Sequence, residues 1–224
     1  RMLAVYRYEK FSYGLTKLCG ALEQAEIPFI PLKGSVLRQY YPEPWMRTSC
    51  DIDVLVHEED LQRVVSYLSD NLGYRRESQN FHDISMFTQG GVHIEVNYDL
   101  VEDGKVNSAV SVLKKVWDTA VQSDNGSYYY EMPDEYFYFY HIAHMAKHFV
   151  GTGGCGIRPF LDLWILNNRI NFDREKRANL LSDGGLDVFA KQAELLAEIW
   201  FGYAEHTEIT KQMENYILRG GVYG

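Results

Sequence analysis

Residues 51–56, Asp-Ile-Asp-Val-Leu-Val, constrain this chain more than any other stretch. A run so rich in branched apolar residues reads as a buried strand, expected over residues 50–56. Strand side chains alternate faces, so Asp51 and Asp53 emerge together while Ile52 points the other way. Burying two like charges side by side is costly unless a cation neutralises them. Hard divalent cations such as Mg²⁺ take oxygen ligands of this kind. A third acid, Glu95, stands in a second apolar stretch, Val92-His93-Ile94-Glu95-Val96, and completes the candidate set. The plain alternative is an exposed strand edge whose acids are merely solvated. The embedding in apolar residues favours the metal reading, and with it an enzyme acting on phosphates.

At 224 residues the chain can hold one large domain or two small ones around a real core. Its net charge of -9, without a Lys/Arg-rich block, disfavours a broad grip on extended nucleic acid. Cys19, Cys50 and Cys155 fit neither a zinc site nor a disulfide framework, so they read as reduced thiols and the expected compartment is the cytoplasm. No apolar run reaches the roughly 20 residues of a membrane span, and no signal peptide is visible. Arg1 falls inside an expected helix, which suggests a piece of a longer protein with further domains.

Helical spacing of Leu3, Tyr6, Phe11, Leu15, Leu18 and Leu22 predicts one or two helices through Glu26. Residues 27–32 predict an edge strand interrupted by Pro28 and Pro31. A helix from Gly34 to about Tyr41, with Ser35 as N-cap, ends at Pro42 and Pro44. Residues 58–72 predict an amphipathic helix closed by Gly73. Strands are expected over 74–77, 84–88 and 92–98, the last two joined at Gln89-Gly90-Gly91. Helix is expected over 106–117 and a strand over 128–132. From Pro133 the pattern turns helical, over 134–149, 160–168, 173–181 and 187–201. The expected division is therefore a catalytic domain with N-terminal helices, 1–132, and a helical domain closing the cleft, 133–224.

The turn Lys33-Gly34-Ser35 is a second motif. A glycine entering a helix lets an anion approach the exposed N–H groups, and the Ser35 hydroxyl can donate to the same oxygens. Alone such a turn is more commonly a plain N-cap beside a surface lysine; its place upstream of the carboxylate strand gives it weight.

Taken in order, Pro-Leu-Lys-Gly-Ser, Arg47, Asp-Ile-Asp-Val-Leu-Val and His-Ile-Glu-Val resemble the DNA polymerase beta-like nucleotidyltransferase superfamily. More narrowly they resemble a poorly characterised bacterial nucleotidyltransferase family with Leu-Lys-Gly-Ser, Asp-Ile-Asp and His-Ile-Glu motifs and a downstream His/Lys-His helix. The resemblance covers residues 27–96 for the catalytic signature and reaches Asp162 for the narrower family. It implies an α/β (α+β) fold, a mixed sheet flanked by helices with a helical C-terminal region. It also implies that Gly34 and Ser35 hold a triphosphate, that Asp51 and Asp53 bind Mg²⁺ or Mn²⁺, and that Glu95 is third ligand and candidate base. Two features depart from the pattern: the interval from Gly-Ser to Asp-Ile-Asp is longer, with Pro42, Pro44 and Trp45 inserted. Asn97-Tyr98 stand where the narrower family carries His-Trp.

Further candidates remain two-sided. Arg47 can reach phosphate in bidentate fashion or pair with Asp51 or Glu43. His141, His144 and His148 share one helix face, which suits zinc, a phosphate-facing wall with Lys147 and Arg158, or satisfied interface histidines. Asp162 orients Arg158 or His148, or is an ordinary helix carboxylate. The stripe from Tyr136 to Tyr140 reads as core.

The expected activity is transfer of NMP from an NTP to a hydroxyl, or similar nucleophile, of an unidentified small-molecule or protein acceptor. Lys33, Gly34, Ser35, Arg47, Lys147, His148 and Arg158 are the candidate nucleotide contacts, and Asp51, Asp53 and Glu95 the catalytic and metal residues. The rivals are a non-catalytic nucleotide-binding regulatory module and a zinc hydrolase built on His141, His144 and His148.

Overall fold

The structure is a computed structural model that describes residues 1–101, 106–151 and 155–220. The chain forms two compact units, one of Arg1–Leu100 with Ala120–Met132, the other of Val101–Thr119 with Pro133–Gly224.

In the first unit, the long helix α1 (Met2–Gln24) is unbroken and buries Phe11, Gly14, Leu18, Ala21 and Leu22, a single stripe at helical spacing. The strands are β1 (Phe29–Pro31), β2 (Asp51–Val56), β3 (Arg75–Gln79), β4 (Asp83–Phe87) and β5 (His93–Asn97). They form one mixed sheet in the order β1-β2-β5-β4-β3. β2 and β5 run parallel, and the other pairings are antiparallel. β1 is an edge strand, as Pro31 within it and Pro28 just before it predict. Helix α2 (Gly34–Leu37) follows β1 and passes into 3-10 turns over 38–40 and 44–46, so the helix expected to reach Tyr41 is shorter and tighter. α3 (Leu61–Leu72) ends at Gly73, whose φ of 63° is the left-handed C-terminal geometry that glycine supplies freely.

Ile52, Val54, Val56, Ile84, Met86, Ile94 and Val96 line one face of the sheet and are buried with Leu18, Leu22, Val64 and Leu68 of the two helices. Each such side chain contributes about 1.5–3 kcal/mol when buried. A one-residue slip of β2 would drive Asp51 and Asp53 into that core, so burial on one face pins the register that orients the acids on the other.

In the second unit the stretch expected as one helix over 106–117 is a 3-10 turn followed by two single-turn helices, α4 (Val110–Leu113) and α5 (Val116–Thr119). A two-stranded ribbon, β6 (Val121–Gln122) with β7 (Tyr130–Glu131), belongs to the first unit. The remaining helices are α6 (Asp134–Gly151), α7 (Arg158–Arg169), α8 (Arg174–Asp183), α9 (Asp187–Phe201) and α10 (Glu208–Gly220), the last without a counterpart in the sequence reading. Tyr136 to Tyr140 are all buried, as an all-round apolar helix requires. α8 is capped by Asp173, whose carboxylate accepts from the N–H groups of Glu175 and Lys176. Among the described residues no helix is long and apolar enough to cross a membrane.

Candidate active site

Parallel pairing sets Asp51 opposite His93 and Asp53 opposite Glu95. Residues paired in register share a sheet face, so all four side chains stand together on the face turned away from the helices. Asp53 is almost fully buried, at 2% exposure, whereas Glu95 keeps 26% of its side chain accessible. Burial first, then the neighbouring Asp53 charge, push the Glu95 carboxyl up to about 8. The same two causes in the same order raise Asp51, and Lys33 opposes both shifts. Both acids hold their protons more tightly than a carboxyl in water, because burial and a like charge disfavour ionisation, and a bound cation would oppose both effects.

That ammonium is Lys33, 2.8 Å from Asp53 and 3.8 Å from Glu95. It is delivered by a tight turn in which the Ser35 N–H donates to the Leu32 carbonyl at 3.0 Å, while the Leu32 N–H donates to the Asp53 backbone carbonyl of β2. Lys33 itself has φ 44° and ψ -118°, the first-corner geometry of a type II′ turn. A non-glycine residue there is strained by about 1–3 kcal/mol, a cost that recurs at functional sites. The turn makes Lys33 the N-cap of α2, and Ser35 sits inside the first turn. The expectation of Ser35 as the cap is thereby corrected, because positive φ at a lysine leaves no trace in the sequence.

On its other flank the turn borders a corner rich in positive charge. Arg38, one helical turn beyond Gly34, is 6% exposed. Its Nε donates to the Gly34 carbonyl at 2.8 Å and a terminal nitrogen reaches Ser49 Oγ at 3.3 Å. The guanidinium lies over the Phe11 ring, 3.4 Å from its centroid. Arg47 donates to the Thr48 carbonyl at 2.7 Å and to the same Ser49 hydroxyl at 3.4 Å. Burial, and secondly Arg47, lower Arg38 to about 10. Among the described residues no carboxylate pairs with Arg38. Ser35 Oγ is buried with no hydrogen-bond partner, a polar group that wants one. Gly34 is required by close approach, since a Cβ there would lie 2.1 Å from Ser49 Oγ and 3.1 Å from Ser49 Cβ.

A divalent ion fits this donor set. One ligand atom each from Asp51, His93 and Glu95 lie within 4.8 Å of one another. The sequence reading named Asp53 where the structure adds His93, two residues before Glu95 on the same strand face. In the sequence, the two-residue step from Glu95 is the signal that marks His93, and the four-residue step from Gly34 is the signal that marks Arg38.

Lys147 and His148 lie in the last turns of α6 and Arg158 opens α7, so all three belong to the second unit. His141, His144 and His148 do not bring three ligand atoms together, and the His141 Nε2 is engaged with the Pro159 carbonyl at 3.0 Å. Asp162 is buried on α7, at 1% exposure.

A family model described as uncharacterised nucleotidyltransferase matches residues 2–202. The antibiotic-resistance factor ANT(2'')-Ia is similar in structure at a TM-score of 0.55 and 10% identity, over 88% of this chain and 100% of that one. At that identity the likeness is one of fold alone. JHP933 from Helicobacter pylori aligns at a TM-score of 0.40 and 16% identity, over 96% and 95% of the two chains, too loosely to carry an argument. No curated protein sequence matches the chain.

Proposed function

The chain belongs to the uncharacterised nucleotidyltransferase family, and from that premise we propose that it moves NMP from an NTP to a hydroxyl, or similar nucleophile, of a small-molecule or protein acceptor. One observation carries the reading. A crowded carboxylate group and the buried Arg38 guanidinium, which among the described residues pairs with no carboxylate, flank a single turn, residues 32–35. Phosphate with its metal would bring negative charge to Arg38 and positive charge to the carboxylates at once.

In this scheme the Ser35 hydroxyl, the amides at the start of α2, Arg38 and Arg47 take the triphosphate oxygens. Lys33 pairs with Asp53 at 2.8 Å and stands beside the phosphates. The acceptor oxygen attacks the α-phosphorus as the bond to the β-phosphate oxygen breaks, and pyrophosphate leaves with the electron pair. Glu95 accepts or polarises the acceptor proton. Bound Mg²⁺ or Mn²⁺ would supply neutralising charge to the leaving pyrophosphate and acidify the acceptor hydroxyl. Positioning and charge placement, rather than covalent chemistry by the protein, supply the acceleration.

The acceptor is not inherited from ANT(2'')-Ia, because fold does not select among acceptors. The three cysteines are free thiols, which supports the cytoplasm as the compartment. The test is pyrophosphate release from each NTP with Mg²⁺ or Mn²⁺ across hydroxyl-bearing small molecules and proteins. We expect turnover with one NTP–acceptor pair and a loss of at least about 100-fold in Asp53→Asn. Tight nucleotide binding with no turnover for any acceptor would instead make the chain a nucleotide-responsive regulatory module.

A further inference from the structure

Building on that reading, we propose that His93 is a direct ligand in the metal seat, and that it biases the seat toward a first-row transition ion, Mn²⁺ over Mg²⁺. Three observations carry this. First, the cluster that converges within 4.8 Å is a mixed imidazole–carboxylate trio, Asp51, His93 and Glu95. An ion with bonds of about 2.1–2.2 Å would draw such atoms in by roughly half an ångström.

Second, Asp53 already has a cation at hydrogen-bond distance, the Lys33 ammonium at 2.8 Å, which leaves the mixed trio as the open seat.

Third, His93 is held as metal-binding histidines are held. Its Nε2 is hydrogen-bonded to the Ser85 hydroxyl of β4, and its ring stacks on Phe87 with centroids 4.9 Å apart. With Nε2–H donating to Ser85, the lone pair is on Nδ1, and that nitrogen is 4.0 Å from Glu95 Oε1. An outer partner on the far ring nitrogen fixes the tautomer and aims the other nitrogen at the ion. Ser85 and Phe87 lie on the sheet face of His93 because β4 pairs Phe87 with His93 and Ser85 with Glu95. The strand register, not a loop, therefore builds the outer shell.

The selectivity follows from donor chemistry. Mg²⁺ takes oxygen ligands and keeps several waters, whereas imidazole nitrogen suits transition ions. An all-carboxylate seat would discriminate little against Mg²⁺. One nitrogen in place of an oxygen shifts the balance.

The experiment uses the full chain with Mn²⁺ alone and pulsed electron paramagnetic resonance. We expect a directly coordinated ¹⁴N coupling that changes to the ¹⁵N pattern when histidine is ¹⁵N-labelled, and that disappears in His93→Gln. Competition should give a Mn²⁺:Mg²⁺ affinity ratio that falls about tenfold in His93→Gln, and Mn²⁺ affinity should fall about tenfold in Ser85→Ala. Isotope labelling needs no substitution, so a poorly folding variant leaves the test intact. Bound Mn²⁺ without nitrogen coupling, or an unchanged ratio in His93→Gln, overturns the proposal even if pyrophosphate release is robust. Nitrogen coupling without any transfer keeps the seat and removes the catalytic reading instead.

Discussion

Replacing Glu95 by glutamine should stabilise the metal-free protein, and only at high pH. The Glu95 carboxyl is raised from 4.5 to about 8, by burial first and by the Asp53 charge next. Between those values the folded state keeps a proton that the unfolded chain has released. Stability therefore declines as pH rises through this window and is level on either side. The full shift corresponds to about 5 kcal/mol at 1.36 kcal/mol per unit. Glu95 keeps 26% of its side chain in water, which screens part of this, so we take roughly 2–3 kcal/mol. Glutamine has the same shape and nothing to ionise. Urea unfolding in EDTA should thus give wild type and Glu95→Gln equal stability near pH 4.5, with the variant ahead by roughly 2–3 kcal/mol near pH 9. In thermal scans that gap is about 4–12 °C for a chain of this size. Excess Mn²⁺ should reverse the order, because only wild type keeps the whole seat. A variant advantage that is the same at both pH extremes, or a variant less stable at pH 9, would refute the charge-crowding argument.

Three further outcomes follow from the turn and its flank. Ser35→Ala removes a buried hydroxyl that has no partner, so urea stability should stay within about 0.5 kcal/mol while NTP affinity by calorimetry falls about tenfold. Gly34→Ala forces a Cβ against Ser49 and should cost about 1–3 kcal/mol in unfolding experiments; adding Ser49→Gly should recover most of it. Arg38→Lys should weaken triphosphate binding at least about tenfold, since an ammonium cannot reproduce the planar contacts to Gly34, Ser49 and Phe11; titration with a non-hydrolysable NTP checks it.

The elements whose chemistry is local were legible in the sequence. β2 announces itself by its apolar run, α3 by its amphipathic spacing and Gly73, and the β4–β5 hairpin by Gln89-Gly90-Gly91. The pairing of β2 with β5 was not legible, because strand order and register are decided by non-local packing, here of Ile52 on Ile94 and Val54 on Val96. That register alone puts Glu95 beside Asp53 and brings His93 into reach. The Lys33 turn stayed hidden because tertiary contacts to β2 hold a lysine in a conformation its own preferences oppose. Arg38 stayed hidden because a lone arginine in a helix reads as surface, and its burial is made tolerable by tertiary partners, the Gly34 carbonyl, the Ser49 hydroxyl and the Phe11 ring. The 106–117 segment shows the reverse error, a helical pattern broken into short turns by packing.

The two borders of the sheet are closed in different ways. β3 is exposed along its whole length, carries Arg75, Arg76 and Glu77, and its ladder to β4 is kinked between Arg76 and Ser78. β1 is three residues long, contains Pro31, and donates the Phe29 amide to the Tyr128 carbonyl. Neither border offers a flat, unsatisfied ladder for another chain to continue. Growth of this sheet by strand addition, the common route to fibrils and to exchanged dimers, is thus disfavoured at both of its edges.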